Sequence, residues 1–169
     1  MQRFLRAAAV AAMFCAAGVA HAQTVKFTGR YLGAAVGDTD LGTAIRVFGG
    51  GQLTNIFGIE GQVASYGSES YRNGAYTYED SAWAAGAYGT ATMAVAPTVS
   101  VFGKVGAHYF RFKHTGPGGS RQDSSVELGL GVGVKWQFVP AAALRLDFEN
   151  IGGSGGDIIS AGLQFPLQF

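Results

Sequence analysis

The residues with the clearest chemical potential are charged side chains that alternate with apolar ones. Arg145, Asp147 and Glu149 alternate with Leu146 and Phe148 near the end of the sequence. Successive side chains of an extended strand point to opposite faces, so the charges share one face and the apolar residues share the other. Neighbouring charges of opposite sign predict ion pairs, because a charge that is buried alone is costly.

Metal chemistry has little support in the sequence. His108 and His114 are the histidines that follow His21, and neither has a cysteine or a second histidine at ligand spacing. Structural and catalytic metal sites need several such ligands close together. We therefore predict no metal, and no cofactor.

The first 22 residues have the pattern of a signal peptide. Arg3 and Arg6 precede a short apolar run that ends in Ala20-His21-Ala22. A basic start, a short apolar stretch and a small-residue cleavage site are typical of secretory signals. We expect residues 1–22 to be removed and residues 23–169 to form one β-barrel domain. The one cysteine, Cys15, would be lost with the signal, so disulfides are not expected.

Charge and composition narrow the function classes further. Without Arg3 and Arg6, 10 basic residues face 11 acidic ones, which excludes the basic surface of a nucleic-acid-binding protein. The 27 glycines are too many for an ordinary helical domain and lack the collagen period.

Eight segments with a period of two follow the signal. They are Arg30–Gly37, Thr43–Gln52, Phe57–Tyr66, Ala82–Val95, Val99–Lys113, Val126–Phe138, Ala143–Asn150 and Ile158–Phe169. Tight turns alternate with longer polar loops, which include 67–81 and 114–125. This alternation predicts an up-and-down antiparallel meander with all short turns at one end.

The sixth segment indicates which environment the strands occupy. Its apolar residues alternate with Gly129, Gly131 and Gly133, whereas the exposed face of a soluble barrel would carry Lys, Glu, Thr or Ser. In a small transmembrane barrel the apolar face contacts lipid, and small or paired polar residues fill the interior. We therefore predict an all-β, eight-stranded antiparallel transmembrane barrel.

Aromatic residues are expected to form two belts at the ends of the apolar band. The first is predicted from Phe57, Trp136, Phe138 and Phe169, and the second from Trp83, Tyr109, Phe110 and Phe112. Phe110 and Phe112 share the parity of Lys104 and His108, so a β-bulge near Tyr109 or Phe110 is predicted to turn them outward.

These motifs resemble the OmpA-type family of small outer-membrane β-barrel proteins. The resemblance is carried by the stretches 31–37, 102–106, 129–138 with the turn at Pro140, and 144–149, and by the terminal Phe169. It implies an outer-membrane location with long loops outside the cell and short turns in the periplasm. It also implies that Phe169 is read by the assembly machinery. The sequence ends at Phe169, so the peptidoglycan-binding domain of OmpA itself is not expected.

Five inward charges are expected in the lower and middle parts of the interior. They are Glu60, Lys104, Lys135, Arg145 and Asp147. Arg46, Glu127 and Glu149 are expected nearer the loops. The resemblance to the lumenal Glu–Lys–Arg cluster of OmpA suggests an ion gate from Glu60, Lys104 and Arg145, and a static polar core is the alternative.

Two alternatives to this reading are an enzyme that modifies lipid A and a soluble barrel. The lipid A deacylases, which are barrels of similar size, carry a His-x-Ser pair, whereas the sequence has His108-Tyr109-Phe110 and His114-Thr115-Gly116. No catalytic residue is therefore predicted. A secreted lipocalin-type barrel that binds an apolar ligand remains the other alternative.

The second loop is the candidate contact surface. It holds Tyr71, Arg72, Tyr76 and Tyr78, which are residue types favoured at interfaces. A ligand on a host cell or phage is one expected partner, and a solvated loop near lipid headgroups is the alternative. The other expected partners are membrane lipids, lipopolysaccharide and the assembly machinery, and the barrel is expected to be a monomer.

Overall fold

A computed structural model describes residues 28–39, 42–73, 76–152 and 156–167. These residues form eight β-strands. The strands are β1 (Thr28–Thr39), β2 (Gly42–Gln52), β3 (Phe57–Asn73), β4 (Tyr76–Ala96), β5 (Val99–Gly116), β6 (Gly119–Val139), β7 (Ala142–Ile151) and β8 (Gly156–Leu167). No helix in the described ranges is long and apolar enough to cross a membrane.

The eight strands close into an antiparallel barrel in sequence order. Each strand pairs with the next, and β1 pairs with β8 from Arg30↔Leu167 to Asp38↔Ile159. Closure gives the backbone N–H and C=O groups of the first and last strands a partner, which an open sheet in lipid would lack. The predicted eight-stranded up-and-down barrel is confirmed.

Apolar side chains cover the outside of the barrel, as the alternation predicts. On β6, Val126 is 73% exposed and Leu128 is 71% exposed, while Gly129 and Gly131 are buried. The same rule holds on β3, where Ile59 and Val63 are exposed and Glu60 and Gln62 are buried, and on β8, where Ile159, Leu163 and Phe165 are exposed and Ser160 and Gln164 are buried. The inverted polarity argues against the lipocalin-type alternative, in which the apolar face lines the interior.

Two segments predicted as loops are paired strands instead. The β3–β4 ladder continues to Asn73↔Tyr76, and the β5–β6 ladder continues to Gly116↔Gly119. The second hairpin closes with a tight turn at Pro117 and Gly118, where Gly119 has a φ of +119°. The predictions of loops at 67–81 and 114–125 were wrong because Ser, Thr and Tyr support a strand that is solvated on both faces, without the apolar alternation that marks a strand in lipid.

The predicted bulge near Tyr109 or Phe110 was also wrong. The β5–β6 register runs without a shift from Val99↔Trp136 to Gly116↔Gly119, so Phe110 stays on the inner face and is 2% exposed. Phe110 and Phe112 therefore do not join the outer aromatic belt, because an apolar layer inside the barrel accommodates them. A register shift, here called the Gly67 bulge, lies instead on β3 between Ser65 and Ser68, with Gly67 at a φ of +88°.

Beyond the barrel rim, four strand ends form one protruding sheet, here called the hairpin extension. It comprises residues 67–73, 76–81, 111–116 and 119–125. The β2–β3 ladder ends at Ile45↔Ser65 and the β6–β7 ladder ends at Gly129↔Ile151, whereas β4 and β5 remain paired up to Glu79↔Thr115. The extension is therefore a four-stranded sheet that rises from one side of the barrel.

Candidate functional site

An ionic layer crosses the middle of the barrel interior. It comprises Arg46 on β2, Glu60 on β3, Lys104 on β5, and Arg145, Asp147 and Glu149 on β7, and each of them is at most 4% exposed. Three cations thus face three carboxylates, so the formal charges balance inside the barrel. Balance is needed because an unmatched charge in this narrow space would be costly.

Arg145 anchors the lower part of the ionic layer. Its Nη2 lies 3.0 Å from Glu60 Oε1 and 2.9 Å from Asp147 Oδ1, and its Nη1 pairs with the other oxygen of Glu60. The guanidinium also lies 4.4 Å from the ring centre of Phe48 and 4.2 Å from that of Phe102. Paired carboxylates and two aromatic faces satisfy the charge of Arg145 from several directions.

Arg46 and Lys104 connect the lower ion pairs to Glu149. Arg46 Nη2 lies 2.8 Å from Asp147 Oδ2, and Arg46 Nη1 lies 3.0 Å from Glu149 Oε2. Lys104 Nζ lies 2.8 Å from the same Glu149 oxygen and 3.7 Å from both Glu60 and Asp147. These contacts join strands that are not neighbours in the sheet, so they bridge the interior.

Neutral side chains complete the hydrogen bonding of the ionic layer. Tyr31 donates to Glu60 over 2.8 Å, Gln62 donates to Glu149 over 3.3 Å, and Arg46 donates to Ser160 over 3.0 Å. Tyr88 contacts both His108 and Glu149. Long side chains from β5 fit because glycines face them on β6. A Cβ on Gly131 would lie 2.7 Å from Lys104 Cε, and one on Gly129 would lie 2.9 Å from His108 Nε2.

Two apolar layers enclose the ionic layer. Toward the short turns lie Tyr31, Phe48 and Phe102, and the first two are in edge contact at a centroid distance of 6.5 Å. Toward the hairpin extension lies a cluster of Ala64, Tyr66, Ala82, Ala84, Phe110, Ile151 and Ile158. The interior is therefore filled in three successive layers.

The structure brings together four of the five charges predicted for the interior. Glu60, Lys104, Arg145 and Asp147 are in the ionic layer, whereas Lys135 lies beside Arg145 in the β6–β7 ladder. Lys135 makes no ion pair within 4.0 Å with the acidic residues that the structure describes. Arg46 and Glu149, which we expected nearer the loops, belong to the layer, because strand tilt brings residues at different distances from the turns to one height.

The predicted contact residues lie at different places on the hairpin extension. Tyr76 is 58% exposed and Arg72 is exposed, while Tyr78 stacks on His114 at a centroid distance of 5.8 Å. The ring of His114 also pairs with Asp80. Tyr71 is opposite Tyr78 in the ladder, and its side chain lies outside the description. Phe169 lies outside the described residues as well.

The histidines and serines do not converge on a catalytic arrangement. His108 is fully buried in the interior, with its Nε2 3.1 Å from Glu149. Ser125 donates to Glu127 over 2.7 Å rather than to a histidine. Within the described ranges, no group of three or more His, Cys, Asp or Glu side chains could hold a metal ion.

Comparisons with known proteins agree with this geometry. The family model described as "Outer membrane protein beta-barrel domain" matches residues 7–165. No curated protein sequence matches the chain significantly.

Solved structures of outer-membrane barrels have the same fold. The N-terminal β-barrel domain of Pseudomonas aeruginosa OprF gives a TM-score of 0.65 at 10% identity, covering 82% of this chain and 97% of that chain. Neisserial surface protein A gives 0.58 at 16% identity, covering 82% and 95%. Ail, the attachment invasion locus protein of Yersinia pestis, in complex with the heparin analogue sucrose octasulfate, gives 0.54 at 15% identity, covering 83% and 99%.

Proposed function

The chain belongs to the outer membrane protein β-barrel domain family, and from that premise we propose that it is a sealed, non-enzymatic barrel that presents the hairpin extension as a surface for binding. Its location is the outer membrane. The observation that carries the proposal is the contrast between a filled interior and a paired, four-stranded sheet that protrudes beyond the rim.

The filled interior favours a static polar core over a gate. Opening a path would require breaking several charge pairs at once and displacing the apolar layers above and below them. Removing one partner of a buried pair alone costs about 3–5 kcal/mol. We therefore assign Glu60, Lys104, Arg145 and Asp147, together with Arg46 and Glu149, a structural role.

The hairpin extension supports a binding role because it holds aromatic and cationic side chains on a hydrogen-bonded sheet. Arg72 and Tyr76 are exposed near the tip of the β3–β4 hairpin, and Tyr78 is fixed against His114. Rigid aromatic and Arg anchors lose little conformational entropy when they bind. The complex of Ail with a heparin analogue supports surface ligand binding as a role for a barrel of this size. The partner that we propose is a ligand on a host cell or phage.

Attachment of cells to host cells or phage tests the binding role. Deleting Ser70–Tyr78 should remove most attachment, because the tip and Tyr78 are lost together. A control variant replaces Asn55 in a short turn with Ser and should attach like the wild type. Unchanged attachment by the deletion variant, in a protein that still shows heat-modifiable gel mobility, would refute the role.

The remaining proposals concern biogenesis and chemistry. We propose that residues 1–22 are a cleaved signal, that Phe169 is read by the assembly machinery, and that the mature barrel is a monomer in lipid and lipopolysaccharide with its short turns in the periplasm. We also propose that it does not modify lipid A, since His108 is sealed inside the barrel. Mass spectrometry of lipid A after overexpression should show no new species.

A further inference from the structure

Two cations lie on the outer face of β5, next to an aromatic pair. Tyr109, Arg111 and Lys113 alternate along the strand, and all three are exposed. Trp83 packs against Tyr109 at a centroid distance of 6.0 Å and is opposite Arg111 in the β4–β5 ladder. Residues two apart on a strand are separated by about 6.8 Å, so the two charges reach the same patch of membrane.

Apart from Trp83, the ladder neighbours of the two cations are polar and uncharged. Lys113 lies between Ser81 and Gln122 in the ladders, and Arg111 lies between Trp83 and Ser124. These residues, Ser81, Arg111, Lys113, Gln122 and Ser124, are here called the cationic ledge. Arg111 donates to the neutral amide of Gln122, which leaves its charge unbalanced.

Acidic groups near the ledge do not neutralise it. Glu79 is opposite Thr115, one diagonal step from Lys113, and Asp123 pairs with Arg121 over 3.1 Å. Within the described part of the chain, no ion pair within 4.0 Å joins Arg111 or Lys113 to a carboxylate. Both cations of the ledge are therefore available to an anionic ligand on the membrane-facing side, with Glu79 nearby on the same face.

The order of chemistries along this wall matches the outer leaflet of an outer membrane. Leu128 and Val126 are the most exposed apolar side chains of the wall, and Val126 is opposite Tyr109. Trp83 is opposite Arg111, and Lys113 lies one outward position further toward the hairpin tip. Aromatic side chains concentrate at the boundary between hydrocarbon and headgroups. Groups one step above that boundary meet the headgroup phosphates.

We propose that the cationic ledge binds a phosphate group of the lipopolysaccharide headgroup. The proposal rests on the membrane orientation given under Proposed function and names one lipid contact of that barrel. Arg111 supplies a planar fork for two phosphate oxygens, Lys113 supplies a point charge, and the hydroxyl groups of Ser81 and Ser124 supply further donors. The outward direction of both cations, at the level of the aromatic pair, favours a membrane lipid over a soluble ligand at the hairpin tip.

Lipid retention by the purified, refolded barrel tests the ledge. The protein is placed in phosphatidylethanolamine nanodiscs that contain a small fraction of bisphosphorylated lipid A, and the lipid A retained after detergent extraction is counted by native mass spectrometry. We expect the double variant R111Q/K113Q to retain lipid A at least about tenfold more weakly than the wild type, since each cation near a charged membrane surface contributes to binding. The matched control, R30Q/R121Q, removes the same charge from the opposite rim and from the inner face of the extension, and should retain lipid A normally.

Two further lipids in the same retention experiment identify the source of the phosphate. Dephosphorylated lipid A should bind equally weakly to wild type and R111Q/K113Q, and phosphatidylglycerol should not replace bisphosphorylated lipid A. Equal loss in the control variant, or no loss in R111Q/K113Q, overturns the proposal. If R111Q/K113Q does not fold, the S124R variant decides the question, because a third cation on the ledge should raise retention and an unchanged value contradicts the site.

The readout separates this inference from the proposed function. Lipid retention is measured on purified protein, so it does not depend on attachment to cells. If R111Q/K113Q loses lipid A but its cells still attach, the ledge is supported and the binding role of the extension is not. If R111Q/K113Q retains lipid A, the ledge is contradicted, whatever happens to attachment.

Discussion

Arg145 illustrates how a buried charge becomes part of a stable interior. Its guanidinium is shared by Glu60 and Asp147 and lies against the rings of Phe48 and Phe102. Both carboxylates are buried, so water cannot easily take the place of the guanidinium as their partner. The consequence is that the loss of one side chain leaves two carboxylates buried with fewer partners.

Replacing Arg145 with Met should therefore destabilise the barrel by about 3–5 kcal/mol. Urea unfolding in micelles, followed by gel mobility, measures the free energy. Lys135→Met is the matched control, because Lys135 is half-buried and pairs with none of the described carboxylates, and it should cost less than about 1 kcal/mol. Adding Glu60→Leu to Arg145→Met should recover part of the loss. A loss for Arg145→Met no larger than that for Lys135→Met would contradict the role.

Gly106 gives a second prediction, based on close approach rather than charge. A Cβ at this position would lie 2.8 Å from the Cα of Tyr88 and would also meet the carbonyl oxygen of Ala87. Gly106→Ala should cost about 1–3 kcal/mol in urea unfolding, since the neighbouring strand must shift. Gly89→Ala is the control. Its new Cβ would be 3.9 Å from the nearest atom, and a comparable loss there would refute the argument.

Individual residues show where prediction from sequence succeeds and where it stops. The inward positions of Glu60, Lys104, Arg145 and Asp147 follow from alternation, because the parity of a strand is a local property. The participation of Arg46 and Glu149 depends on the tilt between strands, which no single segment encodes. Their opposite charges and inward parity were the available signals.

At the scale of elements, the strands obey two different rules along their length. Inside the barrel they alternate between lipid and a filled interior, so β6 could be placed correctly from Val126 to Phe138. In the hairpin extension both faces meet polar surroundings, and the alternation that marks a strand disappears. The Gly67 bulge separates the two regimes on β3 by reversing which residues face inward, so Ser65 and Ser68 both lie on the outer face, opposite Trp83 and Ser81, despite their odd spacing.

A charge in the apolar wall tests the element-scale assignment. Val132 lies near the middle of β6 and is 46% exposed. Val132→Arg should destabilise the barrel in lipid bilayers by about 2–4 kcal/mol, because the guanidinium must enter hydrocarbon. Asn55→Arg, in the exposed turn after β2, should change stability by less than about 0.5 kcal/mol. Equal effects at both positions would show that Val132 does not face lipid.

At the scale of the whole molecule, the barrel combines a closed interior with an asymmetric exterior. The three interior layers lie in series along the axis, whereas the hairpin extension rises only from β3 to β6 among the described strands. Ligand binding at the extension therefore does not require the packed interior to open. The outer face at the base of the extension carries the aromatic pair and the cationic ledge, whereas Arg72 and Tyr76 lie near the tip, so lipid contact and ligand binding occupy different heights of the same sheet.

Series packing also predicts the electrical behaviour of the barrel. Purified protein in planar bilayers should give no discrete conductance steps, because an ion would have to cross the Tyr66–Phe110 layer, the ionic layer and the Phe48–Phe102 layer in turn. Arg145→Ala should remain silent as well, since it loosens one layer and leaves the other two in place. Insertion is verified by recovering heat-modifiable protein from the same membranes. Discrete steps in the wild type that change with Arg145→Ala would show that the ionic layer is a gate after all.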